Sequence, residues 1–385
     1  MTTGVLVVGG GIGGLTAALC SARAGLTVRV LEQAAAFGEI GAGIQLAPNA
    51  TRVLDRLGLL DRVRAVGVLP RRLVLADAVT TRELTHLPLS DFPTRYGGPY
   101  VVMHRSDLLT ILLEACREAG VALETGARVA SIEEAGEQVE ARCEDGRVFT
   151  GRALLACDGL NSRVRRRFSD DEVRFSGYVA YRGAVPMAQV ERHADLSDVV
   201  VWIGPAMHLV QYPLRSGEMY NQVAVFRSAA WERGEADWGT PEELDAVFSP
   251  ASEHVRESTR LLGRDHRWPM FDREPIDTWV QGRIALLGDA AHPMLQYLAQ
   301  GACQAIEDAD CAAGLLAEGA PEKALLRYQQ QRAPRTARVQ RTARTWGDIW
   351  HVDGVGAMLR NALLDKRAPD DHTHVAWLYG PQDAS

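Results

Sequence analysis

The chain is poor in the features that would tie it to an extracellular, membrane or nucleic-acid setting. Its six cysteines, Cys20, Cys116, Cys143, Cys157, Cys303 and Cys311, form no C-x-x-C pair and mostly fall in apolar or helical contexts. Reduced thiols are therefore expected, with neither disulfides nor a metal site. No apolar run approaches the roughly 18 residues needed to span a bilayer. The first residues pass straight into a strand, without the basic region, apolar stretch and cleavage site of a signal peptide, so a cytoplasmic protein is expected. A net charge of −7 gives no electrostatic case for nucleic acid, and the densest basic stretch, residues 163–167, reads as local. Internal repeats and low-complexity linkers are also missing.

What remains is an ordinary globular composition, 46% hydrophobic over 385 residues, long enough for two domains or one large one. The most informative stretch is VLVVGGGIGGLTAALCSARAGLTVRVLE, residues 5–32. An apolar strand runs into a G-x-G-x-x-G turn at Gly9, Gly11 and Gly14, then a small-residue helix and a second strand ending in Glu32. Gly9 and Gly11 let the backbone turn tightly and approach a pyrophosphate, and Gly14 lets helix and strand pack closely. The helix N-terminus offers unpaired N–H groups and a partial positive charge. Glu32 stands where a carboxylate accepts hydrogen bonds from ribose hydroxyls. The unit predicts a dinucleotide site but leaves NAD and FAD undistinguished.

A glycine-bearing loop at 37–46, containing Gln45, and a helix over 48–59 follow. A strand at 100–103 leads into a helix over 105–119, and alternating residues around the Gly136 and Gly146 turns predict a β-meander returning to a buried strand at 153–156. From about 173 to 268 the character changes to long strands with Gly-Pro and Ser-Gly turns. The expected architecture is α/β: a discontinuous Rossmann-like domain (1–70, 99–172, 269–320) with an inserted, mainly antiparallel β-sheet domain (71–98, 173–268). A C-terminal helical segment (321–385) would open with a charged helix ending near 345 and kinked at Pro334, with Trp346, Trp350 and Trp377 covering the domain junction.

Two further motifs bear on the cofactor. In RIALLGDAAHPM, residues 283–294, Asp289 follows a strand's carboxyl end, where such folds place ligands, and can accept from a ribityl hydroxyl. Pro293 and Gly301 precede or open the next helix, whose N-terminal dipole would stabilise negative charge on the N1–C2=O side of a reduced flavin. In ACDGLNSRVR, residues 156–165, Asp158 and Gly159 likewise follow a buried strand. With the opening fingerprint, these motifs in this order resemble the single-component flavoprotein aromatic hydroxylases, related to para-hydroxybenzoate hydroxylase, over nearly the whole chain. The resemblance implies tightly bound FAD, a dual role for Asp158 near FAD and pyridine nucleotide, and contact of Arg105 with the FAD phosphate or ribose. It also accounts for the want of a second G-x-G-x-x-G unit, because NADH, or NADPH, visits only transiently.

An aromatic acid would lie between the inserted sheet and the flavin. His208 and Tyr212 share one strand face, yet four residues of strand span roughly 13 Å, so they would bracket a ligand rather than bond each other. Trp202 and its apolar neighbours would form the cavity wall. Gln296 and Tyr297 precede the helix on the flavin side. This set resembles the salicylate hydroxylase branch, and within it the 3-hydroxybenzoate 6-hydroxylases. The resemblance implies O2 as co-substrate and 2,5-dihydroxybenzoate as product; salicylate 1-hydroxylation and 6-hydroxynicotinate 3-hydroxylation stay open, as does a redox regulator that binds a dinucleotide without turnover. His208 is the expected base, since imidazole titrates near neutral pH, with Tyr212 and Gln296 orienting the hydroxyl. Gln45 is expected near the isoalloxazine or the substrate carboxylate. No arginine stands out for that carboxylate, and a homodimer is compatible with all of this.

Overall fold

The computed structural model describes residues 3–38, 43–190 and 197–381. The apolar runs VLVV, ALLA and IAL become neighbouring parallel strands buried on both faces, as continuous hydrophobic segments of a parallel sheet must be. The parallel order is Ile284–Leu286, Val148–Ala156, Thr3–Val8, Val28–Leu31, Ala122–Glu124. The expected strand at 153–156 is thus the end of a longer one, entered from the antiparallel strands Val129–Ala135 and Gln138–Cys143. Helices Ile12–Arg23, Arg105–Glu118 and Gly301–Glu318 pack on this sheet around one continuous core.

The second sheet has seven strands in the order Trp268–Asp272, Arg174–Pro186, Met219–Arg227, Met207–Leu214, Val199–Gly204, Arg72–Asp77, Glu83–Pro88. Every pairing in it is antiparallel except that of Val199–Gly204 with Arg72–Asp77. The early strands Arg72–Asp77 and Glu83–Pro88 therefore share one sheet with the strands from residues 174–272. One face of this sheet is closed by helices Pro241–Phe248 and Glu253–Arg260, whose Leu244, Phe248 and Val255 pack on Val179, Tyr181, Leu209 and Phe226. The other face is turned to the nucleotide-binding half.

Two elements depart from the sequence reading. Of the glycine-bearing loop, residues 39–42 lie outside the described residues, and Gly43–Leu46, with Gln45 in it, is a strand paired with Val101–His104. The C-terminal helix, expected to end near 345, runs from Pro321 to His351 with Pro334 inside it. Trp346 and Trp350 therefore stand on its last turns and face a cavity, while Trp377 sits apart under the Arg338 guanidinium, 3.9 Å from its ring centroid.

Candidate active site

The three motifs occupy the carboxyl ends of three adjacent parallel strands. Backbone bonds tie them there: Gly9 N donates to Leu31 O (2.9 Å), Cys157 N to Val8 O (2.7 Å) and Leu287 N to Ala156 O (2.9 Å). Gly9 has φ +105°, and a Cβ on it would strike the Cys157 carbonyl; a Cβ on Gly14 would overlap the Gly9 carbonyl oxygen. A Cβ on Gly11, by contrast, would meet open space. The helix beginning at Ile12 has no side-chain cap and no acid in its first turn, so its N-terminal N–H groups face that space unneutralised.

Two cavities meet at this point, both lined by Gly11, Cys157 and Gly159. The smaller, about 650 Å³, is bounded by Gly9, Gly10, Glu32, Asp158 and Arg163. The larger, about 1120 Å³, runs from Gly11, Arg105, Asp289 and Gly301 to the open face of the second sheet. Glu32 accepts from Gly10 N at 2.6 Å and Ala34 N at 2.7 Å, which fixes its carboxylate at the rim with lone pairs to spare. The helix at Gly301 is also uncapped, without an acid in its first turn, and Asp289 Oδ1 is 3.8 Å from the position of a Cβ on Gly301. An extended molecule with an anionic middle and a flat electron-accepting end would fit this cradle, where Glu32 would hold the adenosine, Gly11 and Arg105 the pyrophosphate, and Asp289 and Gly301 the isoalloxazine.

Several motif residues also brace the cradle from within, Asp158 while lining the smaller cavity. Asp158 accepts from Ser162 Oγ (2.6 Å) and Arg163 N (2.9 Å), so its carboxylate builds the turn. Arg165 is buried, paired with Asp171 (2.8 Å), and donates to the Ala290 and Ala291 carbonyls (3.0 and 2.6 Å), bolting the second motif to the third. Pro293 lies behind the lining, where its carbonyl accepts from Gln340 Nε2 at 3.0 Å. Beneath the third motif, buried Asp308 accepts from Gly288 N (3.1 Å), contacts His292 Nε2 (2.5 Å) and pairs with Arg332 (2.6 Å). His292 and Arg332 outweigh burial and lower its pKa to about 2.

The far wall of the larger cavity comes from alternate residues of the second sheet. His208, Val210 and Tyr212 line it from one strand, with Val201, Asn221, Val223 and Arg182 from its neighbours. Trp202 does not: register pairs it with Leu209 on the opposite face, where its indole donates to Gln211 Oε1 at 2.7 Å. From the other side come Gln296 and Tyr297, on the short turn Gln296–Leu298. Gln45 also lines the cavity and accepts from Tyr100 Oη at 2.6 Å.

His208 is fully buried, its Nδ1 2.8 Å from Nε2 of His351, and its own Nε2 has no partner among the described residues. Burial, and secondarily His351, hold its pKa well below the ordinary histidine value, and burial lowers that of His351 to about 3. The imidazole is thus neutral, not poised near pH 7 as its residue type alone suggested. Burial pushes the Tyr212 hydroxyl pKa up, opposed by the Arg182 charge and a hydrogen bond with Gln45.

The sequence reading did not single out Arg182 or His351. An arginine inside the apolar run YVAYRGAV was the available signal for the first. The second meets His208 from 143 positions away.

Fold and site together define a flavoprotein built to hold a dinucleotide beside a largely apolar chamber. The chain belongs to the FAD-dependent aromatic hydroxylase family: a family model described as FAD binding domain matches residues 2–343, and full-length relatives are hydroxylases by name. It is 41% identical to 3-hydroxybenzoate 6-hydroxylase 1 of Aquipseudomonas alcaligenes, over 99% of this chain and 98% of that protein. It is 39% identical to 3-amino-4-hydroxybenzoate 2-monooxygenase of Streptomyces cremeus, over 98% of this chain and 94% of that one. Among solved structures, Klebsiella pneumoniae HpxO complexed with FAD and uric acid superposes with a TM-score of 0.87 at 26% identity, covering 98% of this chain and 97% of that one. A salicylate hydroxylase substrate complex gives 0.81 at 25%, covering 98% and 95%. Among the described residues no cluster has the composition of a metal site, and no helix is long and apolar enough to cross a membrane.

Proposed function

We propose that the protein hydroxylates 3-hydroxybenzoate para to its hydroxyl group, giving 2,5-dihydroxybenzoate. One atom of O2 enters the ring, the other leaves as water, and NAD(P)H supplies two electrons. The bound flavin supplies the redox chemistry and the activation of dioxygen.

The observation that carries this reading is His208 Nε2, a buried polar atom with no partner among the described residues, in the wall of a largely apolar chamber. A buried acceptor left unmatched costs free energy, and a phenolic hydroxyl satisfies it. In the tautomer that donates Nδ1–H to His351, Nε2 carries a lone pair and accepts the substrate's phenolic proton, raising electron density on the ring carbon opposite. Because the pair is held neutral by burial, it shares that proton rather than removing it outright. Tyr212 and Gln296 orient the ring. Leu73, Leu75, Val201, Val210, Val223 and Met270 keep the chamber dry, which prevents oxygen activation from being spent on hydrogen peroxide. Three relatives of 38 to 41% identity, all named 3-hydroxybenzoate 6-hydroxylase, favour this substrate over others.

The test is NADH and oxygen consumption across a panel of hydroxybenzoates and hydroxynicotinates, with products identified by mass. Gentisate from 3-hydroxybenzoate supports the reading. Catechol with carbon dioxide from salicylate, or a dihydroxypyridine, would replace it.

A further inference from the structure

Arg182 stands on the cavity side of the strand Arg174–Pro186, opposite Val223 of the next strand, which in turn is opposite Val210. His208 shares a row with Val225 and Ala180, and Tyr212 a row with Asn221 and Ala184. Arg182 therefore lies in the row between those of His208 and Tyr212, two strands across. Val223, Val210 and Val201 pave that row as an apolar floor.

Its surroundings are unusual for an arginine so enclosed. Among the described residues it has no carboxylate partner: its Nη2 donates to Gln296 Oε1 at 3.2 Å, its guanidinium lies 5.4 Å from the Trp268 ring centroid, and its Nε is buried without a partner. Two arginines buried more deeply than Arg182 are each provided with a carboxylate. Arg165 pairs with Asp171, and Arg332 with Asp308 and Glu307. Placing a guanidinium in a low-dielectric wall without a counter-charge is costly, and here its open side is the cavity. Burial accordingly draws its pKa down, an effect that neighbouring Arg105 reinforces.

We infer that Arg182 is the anchor for the substrate's carboxylate and the residue that makes the site select aromatic acids over neutral phenols. This rests on the proposed function, which supplies an acidic phenol as the occupant. The planar fork of donors matches a carboxylate. With the ring on the valine floor, the carboxylate toward Arg182 and the hydroxyl toward His208 Nε2, the unpartnered Arg182 Nε and His208 Nε2 gain partners at once. Gln296, whose Oε1 is taken by Arg182, presents its amide N–H groups to the same ligand.

The experiment is titration of oxidised, FAD-loaded enzyme with 3-hydroxybenzoate and with neutral 3-hydroxybenzamide, followed by flavin absorbance or calorimetry. Wild type should bind the acid about 100-fold more tightly than the amide. In R182Q the acid should weaken by about that factor while the amide changes less than about threefold, and R182K, which keeps the charge but not the fork, should fall between. Equal loss for both ligands in R182Q, unchanged acid binding in R182Q, or no preference for the acid in wild type would each overturn the assignment. The last comparison needs no variant to fold. Failure of the underlying reading has a different signature: neither ligand perturbs wild-type enzyme, and 3-hydroxybenzoate is not turned over.

Discussion

His208 Nδ1 and His351 Nε2 face each other at 2.8 Å, and the two rings lie nearly parallel, 23° apart. Tyr178 stacks on the outer side of His351 at 4.4 Å between centroids, and Trp350 and Tyr297 box His208 at 5.2 and 5.4 Å. One ring nitrogen of His208 is thereby committed to its partner, and the other is presented to the chamber. Replacing His208 by Asn or Ala should preserve FAD content but lower hydroxylation by about 10²- to 10⁴-fold, with NADH oxidation diverted to hydrogen peroxide. The ratio of product formed to NADH consumed checks this. Full coupling in these variants would remove His208 from the chemistry.

The same pair makes a prediction about pH. Both histidines are held below the ordinary value near 6.5, so the unfolded chain binds protons that the native state refuses. Their contribution to stability is complete above pH 6.5 and is lost as pH falls toward the folded values, about 3 for His351. Below about pH 6 the slope approaches ~1.4 kcal/mol per pH unit for each histidine. Urea unfolding midpoints at pH 7 and pH 5 should differ clearly in wild type and much less in a variant lacking both imidazoles. For the same reason kcat/KM should show no acid limb near pH 6.5 arising from His208.

Gly11 and Gly14 should fail in different ways. Gly14→Ala forces a Cβ onto the Gly9 carbonyl and should lower thermal stability with or without cofactor. Gly11→Ala places its Cβ in open space, so the apoprotein should melt within about 2 °C of the wild-type apoprotein while FAD affinity falls at least about tenfold, the cost of filling a cradle meant for phosphate. Apoprotein melting and flavin titration separate the two. Wild-type FAD affinity in Gly11→Ala would mean the pyrophosphate lies elsewhere.

Asp308→Ala should destabilise the protein by about 3 to 5 kcal/mol, because it leaves Arg332 beside Glu307 alone and strips the Gly288 N–H of its acceptor. The Gly288 turn carries Asp289, so flavin retention should drop with the melting temperature. Loss of stability without loss of flavin would show that the network supports the helices alone.

The dinucleotide half could be read from the chain because local physics writes it there. Apolar strands run into turns whose glycines, Gly9, Gly159 and Gly288, take positive φ, and Asp289 stands just beyond the end of the strand Ile284–Leu286. Strand alternation likewise put His208 and Tyr212 on one face correctly. It did not place Trp202, because neighbours in sequence point to opposite sides of a sheet and only the pairing with Leu209 reveals which. Arg182 and His351 were out of reach for a related reason. The first is brought to the cavity by register across an intervening strand, and the second by a helix that continues through Pro334 to end at the site. Asp158 and Arg165 had recognisable motif positions, but only the pairing of elements reveals that Asp158 also holds its turn and that Arg165 ties the second motif to the third.

The most direct measurement is turnover of 3-hydroxybenzoate by the FAD-loaded protein under 18O2, with NADH consumption and product mass recorded together. The account predicts 2,5-dihydroxybenzoate carrying a single 18O atom, in a one-to-one ratio with NADH oxidised. Catechol, an unlabelled product, or NADH oxidation yielding only hydrogen peroxide in the wild-type enzyme would contradict it.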